Sequence, residues 1–266
     1  MTTFVTSSDG TRIAFDRLGQ GPPVVVVGGM LNDRQTTHEL AERLSRRFTV
    51  INFDRRGRGE SGDTAPYAVE REIEDLGALI AEAGGTVSVY GHSSGAGLAL
   101  NAAAGGVPIT RLVLHEPPYG DDDDESQRAA RELAESVRVA IAEDRRADAI
   151  TAFLTASGIP PEMAAGAAAD PRMLALAATM PYDFEIMGDP QGGTVPVDLV
   201  RAIDVPTLVI AGGASPEFFR DTATRIAQLL PNGSMTVLDG QDHGAPAEVV
   251  APVVEAFLEA RSPEAA

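Results

Sequence analysis

Short, mostly apolar runs alternate along this chain with longer segments whose apolar residues recur at helical spacing, and that alternation decides the architecture. Residues 24–27, four valines closed by Gly28 and Gly29, read as a strand buried on both faces. A helical stretch over 38–47 leads into a second run at 48–53. Val69, Ile73, Leu76 and Ile80 share one face of a helix predicted over 68–83, ahead of a strand at 87–90. A helix at 94–104 and a strand at 112–114 continue the rhythm. Parallel strands need crossover connections, and helices supply them. The spacing therefore predicts an α/β fold: a mostly parallel sheet of about eight strands with helices on both faces. Ligands bind such sheets at the carboxyl ends of the strands.

Around this centre, residues 3–6 and 11–16 flank Ser8-Asp9-Gly10, the composition of a hairpin turn, so two antiparallel strands open the fold. The rhythm stops after Glu116. Between Pro117 and Ile203 acidic, Ala-rich helical segments run without a strand, and this stretch is expected to be a helical lid, 117–203, inserted into a core of 1–116 and 204–266. The core then resumes with a strand at 207–210, a helix at 216–230, a strand at 234–238 and a helix at 247–261.

Charge and cysteine content narrow the function. The formal net charge of −18 repels phosphate backbones and anionic membrane faces, so neither nucleic acid nor membrane is an expected partner. With no cysteine, disulfides, thiolate metal sites and cysteine nucleophiles are excluded together. The first ten residues lack the basic-then-apolar order of a secretory signal, and no apolar run reaches membrane-spanning length; a cytoplasmic location is expected. Monomer and homodimer are both left open.

The chemistry concentrates at Tyr90-Gly91-His92-Ser93-Ser94-Gly95-Ala96, a Gly-x-Ser-x-Gly set directly after a short apolar strand and directly before a helix. A serine in so sharp a strand-to-helix turn needs glycines beside it, because Cβ atoms there would collide with sheet and helix. Ser93 is the expected nucleophile, and the Ser94 backbone N–H points at the developing oxyanion. A second oxyanion donor is expected from Gly28-Gly29-Met30-Leu31, from the Met30 N–H first and Gly29 next.

Of the four histidines, only His243 lies in a loop between the last strand and the last helix, which makes it the expected general base. The acid is harder to place. Its usual loop, after the strand at 207–210, reads Ala211-Gly212-Gly213-Ala214-Ser215-Pro216 and holds no carboxylate. Glu217 is expected to begin a helix, and Asp242 is too close in sequence to orient the His243 ring. Glu116, at the end of the strand after the nucleophile helix, reaches the same sheet edge from one strand over and is the expected orienting acid.

Taken together, residues 90–96 and Leu114-His115-Glu116-Pro117-Pro118 resemble the α/β-hydrolase superfamily and, within it, the zearalenone lactonases, which take their acid from this strand. The resemblance extends to 211–219 and to 240–243 and covers both ends of the core. It implies a serine esterase or lactonase with a catalytic triad and oxyanion hole, acting on a small hydrophobic ester or lactone with no cofactor or metal. The arginines of Asp54-Arg55-Arg56-Gly57-Arg58-Gly59-Glu60-Ser61 are expected to be salt-bridged, since no phosphate-binding spacing accompanies them. Phe153, Leu154, Met163, Met173, Leu174, Met180, Tyr182, Phe184 and Met187 give the lid an apolar character suited to a hydrophobic ligand, or pack it onto the core. A thioesterase or acyltransferase on the same nucleophile, and a non-catalytic binding protein on the same fold, are the rival functions.

Overall fold

The computed structural model describes residues 2–260; Met1 and residues 261–266, with the end of the helix expected over 247–261, lie outside the described residues. Strands β1 (Thr3–Thr6) and β2 (Arg12–Leu18) form the expected hairpin. From β3 (Pro23–Val27) the chain crosses through α1 (His38–Leu44) to β4 (Thr49–Phe53), through α2 (Val69–Glu82) to β5 (Val87–His92), and through α3 (Ser94–Ala104) to β6 (Ile109–His115). Six α-helices follow with no intervening strand: α4 (Asp124–Ala142), α5 (Arg146–Ala156), α6 (Pro161–Ala167), α7 (Pro171–Leu176), α8 (Met180–Met187) and α9 (Val197–Arg201). The sheet resumes at β7 (Thr207–Gly212), and α10 (Glu217–Leu229), β8 (Gly233–Leu238) and α11 (Ala247–Glu259) complete the described chain.

This is the α/β-hydrolase architecture: one eight-stranded sheet in the order β1-β2-β4-β3-β5-β6-β7-β8. Its strands are parallel from β4 to β8, while β1 and β2 run antiparallel at one edge. Several strands outrun their apolar cores, because main-chain pairing continues over polar residues such as Arg111, which sits opposite Ser88. The period of two sorts the β3 valines onto both faces. Val25 and Val27 join Leu76, Leu79 and Leu98 of α2 and α3, whereas Val24 and Val26 join Leu40, Leu44 and Val254 of α1 and α11. All four valines are fully buried, each worth about 1.5–3 kcal/mol relative to exposure.

The inserted helices carry a third apolar cluster, built on Val137, Ile150, Leu176, Met180 and Phe184, and Leu31 of the loop after β3 is part of it. At the neck of the insertion a bridge joins Gly120 to Thr194, and the Gly120 N–H donates to the Gly193 carbonyl at 2.8 Å. Among the described residues no helix is long and apolar enough to cross a membrane.

The turn from β5 into α3 is pressed against the end of β3. A Cβ at Gly95 would run into the Val27 carbonyl and stand 2.7 Å from the Gly28 carbonyl oxygen, both of them backbone and unable to yield. Gly77, inside α2, has nothing within 4 Å of the same position. Gly95→Ala should therefore lower stability by about 1–3 kcal/mol through overpacking. Gly77→Ala should raise it by about 0.5–1 kcal/mol, because the folded helix accepts a methyl group that restricts the unfolded chain. Urea unfolding of the two variants beside wild type checks both signs.

Candidate active site

Ser93 sits between β5 and α3 at φ 56° and ψ −129°. Among the described residues, four that are not glycine have positive φ: Leu31, Ser93, Glu116 and Asp144. The first three lie at the carboxyl edge of the sheet, after β3, β5 and β6. Such conformations cost about 1–3 kcal/mol each and persist only where neighbours over-determine them. At Ser93 the neighbours are backbone: its N–H donates to the His115 carbonyl at 2.9 Å, and its carbonyl accepts from Ala96 N–H at 2.8 Å. Gly29 abuts the serine so closely that a Cβ on it would lie 2.8 Å from Ser93 Cβ.

Glu116 follows the last residue of β6 and is wholly buried. Its N–H donates to the Ile210 carbonyl at 2.9 Å, tying it to β7. One carboxylate oxygen, Oε1, accepts the Gly212 N–H at 2.6 Å; the other, Oε2, accepts His243 Nδ1–H at 2.7 Å. A carboxylate can only accept, so Nδ1 carries the proton, and the neutral ring then presents Nε2 as a bare acceptor. Burial pushes the Glu116 carboxyl up, but the hydrogen bonds from His243 and Gly212, with the charge of His243 when it is protonated, outweigh it and hold it below the usual range.

Two further rings pack on His243. Phe219 of α10 stacks on it at 4.8 Å between centroids, and His92 lies 4.7 Å away. His92 Nε2–H donates to the His243 carbonyl at 3.0 Å, which joins the residue before Ser93 to the loop after β8. Desolvation, helped by the His243 charge, lowers the His92 pKa to about 4, so this ring stays neutral at neutral pH. His115 lies deeper, buried and bonded through Nδ1 to the Tyr90 hydroxyl at 2.7 Å.

Several of the residues singled out in the sequence are joined by contacts at the carboxyl edge of the sheet. Ser93 and Gly29 are in contact, Glu116 holds His243, and His92 joins His243 to the Ser93 turn. Glu217 begins α10 as expected, exposed His38 faces Glu42 across one helical turn, and Asp242 accepts the Gly244 N–H. Arg55, Arg56 and Arg58 are buried and ion-paired, as the acidic surroundings predict. Of the apolar residues expected over the site, Met180, Phe184 and Met187 are buried, and Phe153, Leu154, Met173 and Leu174 pack, as Met30 does, against the cluster that contains Leu31. Met163 is 66% exposed and Tyr182 instead stacks on Tyr67. Among the described residues no group of three or more His, Asp or Glu side chains is placed to hold a metal ion.

Sequence reasoning missed Asp183. It is fully buried on α8, accepts Ser94 Oγ–H at 2.7 Å, and pairs with Arg55 at 2.6 Å and Arg58 at 2.5 Å. Burial pushes its carboxyl up, yet the charges of Arg55 and Arg58 and the Ser94 hydrogen bond hold it below the usual range. The one hint in the sequence is an acid among apolar neighbours in Met-Pro-Tyr-Asp-Phe-Glu.

A serine strained at the carboxyl edge of a parallel sheet, with a carboxylate-held histidine in the loop after the last strand, marks a hydrolase of the α/β class. The chain belongs to the alpha/beta hydrolase family, whose model matches residues 24–256. An α/β hydrolase from Sphaerobacter thermophilus superposes with a TM-score of 0.87 at 49% identity, covering 96% of this chain and all of that one. N-formylmaleamate deformylase of Pseudomonas putida is 37% identical over 127 residues, 44% of this chain; the match spans about half of that relative's length, 47%. The non-heme chloroperoxidase CPO-A1 of Kitasatospora aureofaciens is 26% identical over 251 residues, 90% of this chain and 91% of that protein.

The Glu116 contacts set a pH dependence of stability. Its folded pKa lies below the ordinary 4.5, so the stability it contributes is fully present above 4.5 and is lost as pH falls through the lower, folded value. Glu116→Gln should therefore unfold at a lower temperature than wild type at neutral pH. The gap between the two should narrow as pH drops below 4.5, as read by thermal scans across pH.

Proposed function

We propose that the protein is a serine hydrolase that cleaves a carboxylic ester or lactone through an acyl-enzyme on Ser93. The observation that supports this best is the bond from His243 Nδ1 to buried Glu116, because it fixes the tautomer that can take a proton at Nε2. His243 removes the Ser93 hydroxyl proton as Oγ attacks the carbonyl carbon, and the backbone N–H groups of Met30 and Ser94 hold the oxyanion, with Gly29 leaving room for it. Collapse expels the alcohol, which takes the proton from His243. A water then gives its proton to His243 and attacks the acyl carbon, and Ser93 Oγ leaves with that proton. No step calls for a metal or organic cofactor. In a lactone the alcohol and acid stay on one molecule, so the product is the opened ring.

In this proposal residues 117–203 act as a lid on the core of 1–116 and 204–266. Met30, the proposed oxyanion donor, packs against the same apolar cluster as Phe153, Leu154, Met173 and Leu174, which suits a small hydrophobic substrate. The likeness of 114–118 to zearalenone lactonases adds lactones to the substrates worth screening. Identity to a deformylase favours a second reading, cleavage of a carboxamide by the same nucleophile. Thioester cleavage or acyl transfer would share the acyl-enzyme and differ only in the leaving group or acceptor.

A fluorophosphonate probe, with a panel of nitrophenyl esters, lactones, thioesters and formamides, tests these readings together. Wild type should be labelled and should turn over at least one ester or lactone, and Ser93→Ala should lose both. Glu116→Gln should lower kcat by about 10²–10⁴-fold through loss of the correct tautomer. Folded wild type that neither takes the label nor turns over any panel member would instead make this a binding protein on a hydrolase fold.

A further inference from the structure

Beneath the loop after β3 lies a cluster of four buried charges, two of each sign: Arg55, Arg58, Glu72 and Asp183. Arg55 makes a two-bond pair with Glu72, at 2.7 and 2.8 Å, and its Nη1 donates to Asp183 Oδ1 at 2.6 Å. Arg58 donates through Nε to Thr179 Oγ1 at 2.9 Å and through Nη2 to Asp183 Oδ2 at 2.5 Å. The formal charges cancel, so the cluster as a set needs no outside counter-ion. It nevertheless spends donors on backbone. Arg58 Nη1 donates to the Gly29 carbonyl at 2.6 Å and to the Asn32 carbonyl at 3.2 Å, and Arg55 Nη1 reaches the Gly28 carbonyl at 3.4 Å.

The Gly29 carbonyl and the Met30 N–H belong to one planar trans peptide, in which they point in opposite directions. Anchoring that carbonyl on a guanidinium sets the direction of the Met30 N–H and, by polarising the amide, makes it a stronger donor. The other proposed donor, Ser94 N–H, belongs to a residue whose hydroxyl is bound to Asp183 Oδ1. One carboxylate on α8 therefore grips both the arginine that orients the first donor and the side chain of the residue that supplies the second. Leu31, at φ 58°, leads the loop onward into the apolar cluster of the inserted helices, so the loop is held from both sides.

We propose that Arg58 and Asp183 are positioning residues for the oxyanion hole, locking the Gly29–Met30 peptide and Ser94 to α8 so that both donors are aimed before substrate arrives. The proposal rests on Ser93 being the nucleophile and on Met30 and Ser94 donating to the oxyanion. It makes the inserted helices part of the catalytic scaffold, because the core's Arg58, which anchors the Gly29 carbonyl, and the Ser94 side chain are both held by Asp183 of α8. A cluster that only fastened α8 to the core would affect stability and leave the transition state alone.

The test uses an ester turned over by wild type and a trifluoromethyl ketone of matched shape, which adds to the serine and places a tetrahedral oxyanion in the hole. Arg58→Lys keeps the charge and loses the planar fork. It should lower kcat by about 10–100-fold, with KM within about threefold, and weaken the ketone in proportion to kcat. Arg56→Lys is the control, since Arg56 is equally buried but pairs with Asp75 and Asp9, away from Gly29. It should leave kcat and ketone affinity within about twofold of wild type, even if the protein melts earlier. Thr179→Val preserves all four charges, removes the Nε acceptor of Arg58 together with the Thr179 bond to the Leu176 carbonyl, and should loosen the guanidinium and lower kcat about threefold. Folded Arg58→Lys with kcat and ketone affinity within about twofold of wild type overturns the proposal, as does unchanged kcat in Thr179→Val where Arg58→Lys does not fold. Wild type that takes no fluorophosphonate at Ser93 is a different failure: it removes the hydrolase reading itself, and this inference with it.

Discussion

A carboxylate can be carried into the interior of a sheet only where something there answers its charge, and the edge of this sheet is arranged around that requirement at Glu116. Its side chain is wholly excluded from solvent, so the desolvation cost must be met by hydrogen bonds that favour the ionised form. Gly212 supplies one from the end of β7 and His243 another from the loop after β8. Three successive parallel strands, β6, β7 and β8, are thereby stitched at their carboxyl ends through one side chain. The histidine gains a fixed tautomer from the same contact that makes the carboxylate tolerable inside.

The buried arginines obey the same rule on the other side of Ser93. Arg55 and Arg58 are both buried, yet each finds a carboxylate and a backbone carbonyl. Breaking such a pair by removing one partner costs about 3–5 kcal/mol, because the other charge is left unanswered in the interior. Asp183 therefore fixes α8 to the loop after β4 more firmly than apolar packing would specify, since a hydrophobic contact tolerates sliding and a forked hydrogen bond does not. The consequence is a site whose two halves are both pinned by buried charge, His243 by Glu116 and the loop after β3 by Arg58.

How much of this is legible in the sequence follows from how local each signal is. The strands and crossover helices are written in short runs rich in apolar residues and in a 3.6-residue period, and the turn at Ser93 in two glycines at fixed offsets. His243 is legible by its place between the last strand and the last helix. Glu116 can be inferred because the neighbouring loop, 211–216, is empty of acids and leaves one strand end to supply it. Asp183 is a different case: its partner Arg58 lies 125 positions away, and no period or motif ties one of the two acids of α8 to an arginine after β4. Its meaning arises only when the insertion folds back over the core. The same holds for Phe219 against His243, since the sequence shows an aromatic in a helix and not the ring it will meet.

The absence of an acid after β7 is itself explained by what stands there. Gly212 donates its N–H to Glu116 Oε1 at 2.6 Å, and a Cβ on it would stand 2.7 Å from Ser215 Oγ and run into the Gln241 carbonyl. The end of β7 thus donates to a buried carboxylate instead of supplying one, and Gly212 has no room for a side chain there. A carboxylate placed in this loop to take the His243 Nδ1 proton would leave Glu116 buried with one fewer partner. The small residues of 211–216 leave Glu116 as the carboxylate that meets His243 Nδ1 at this edge.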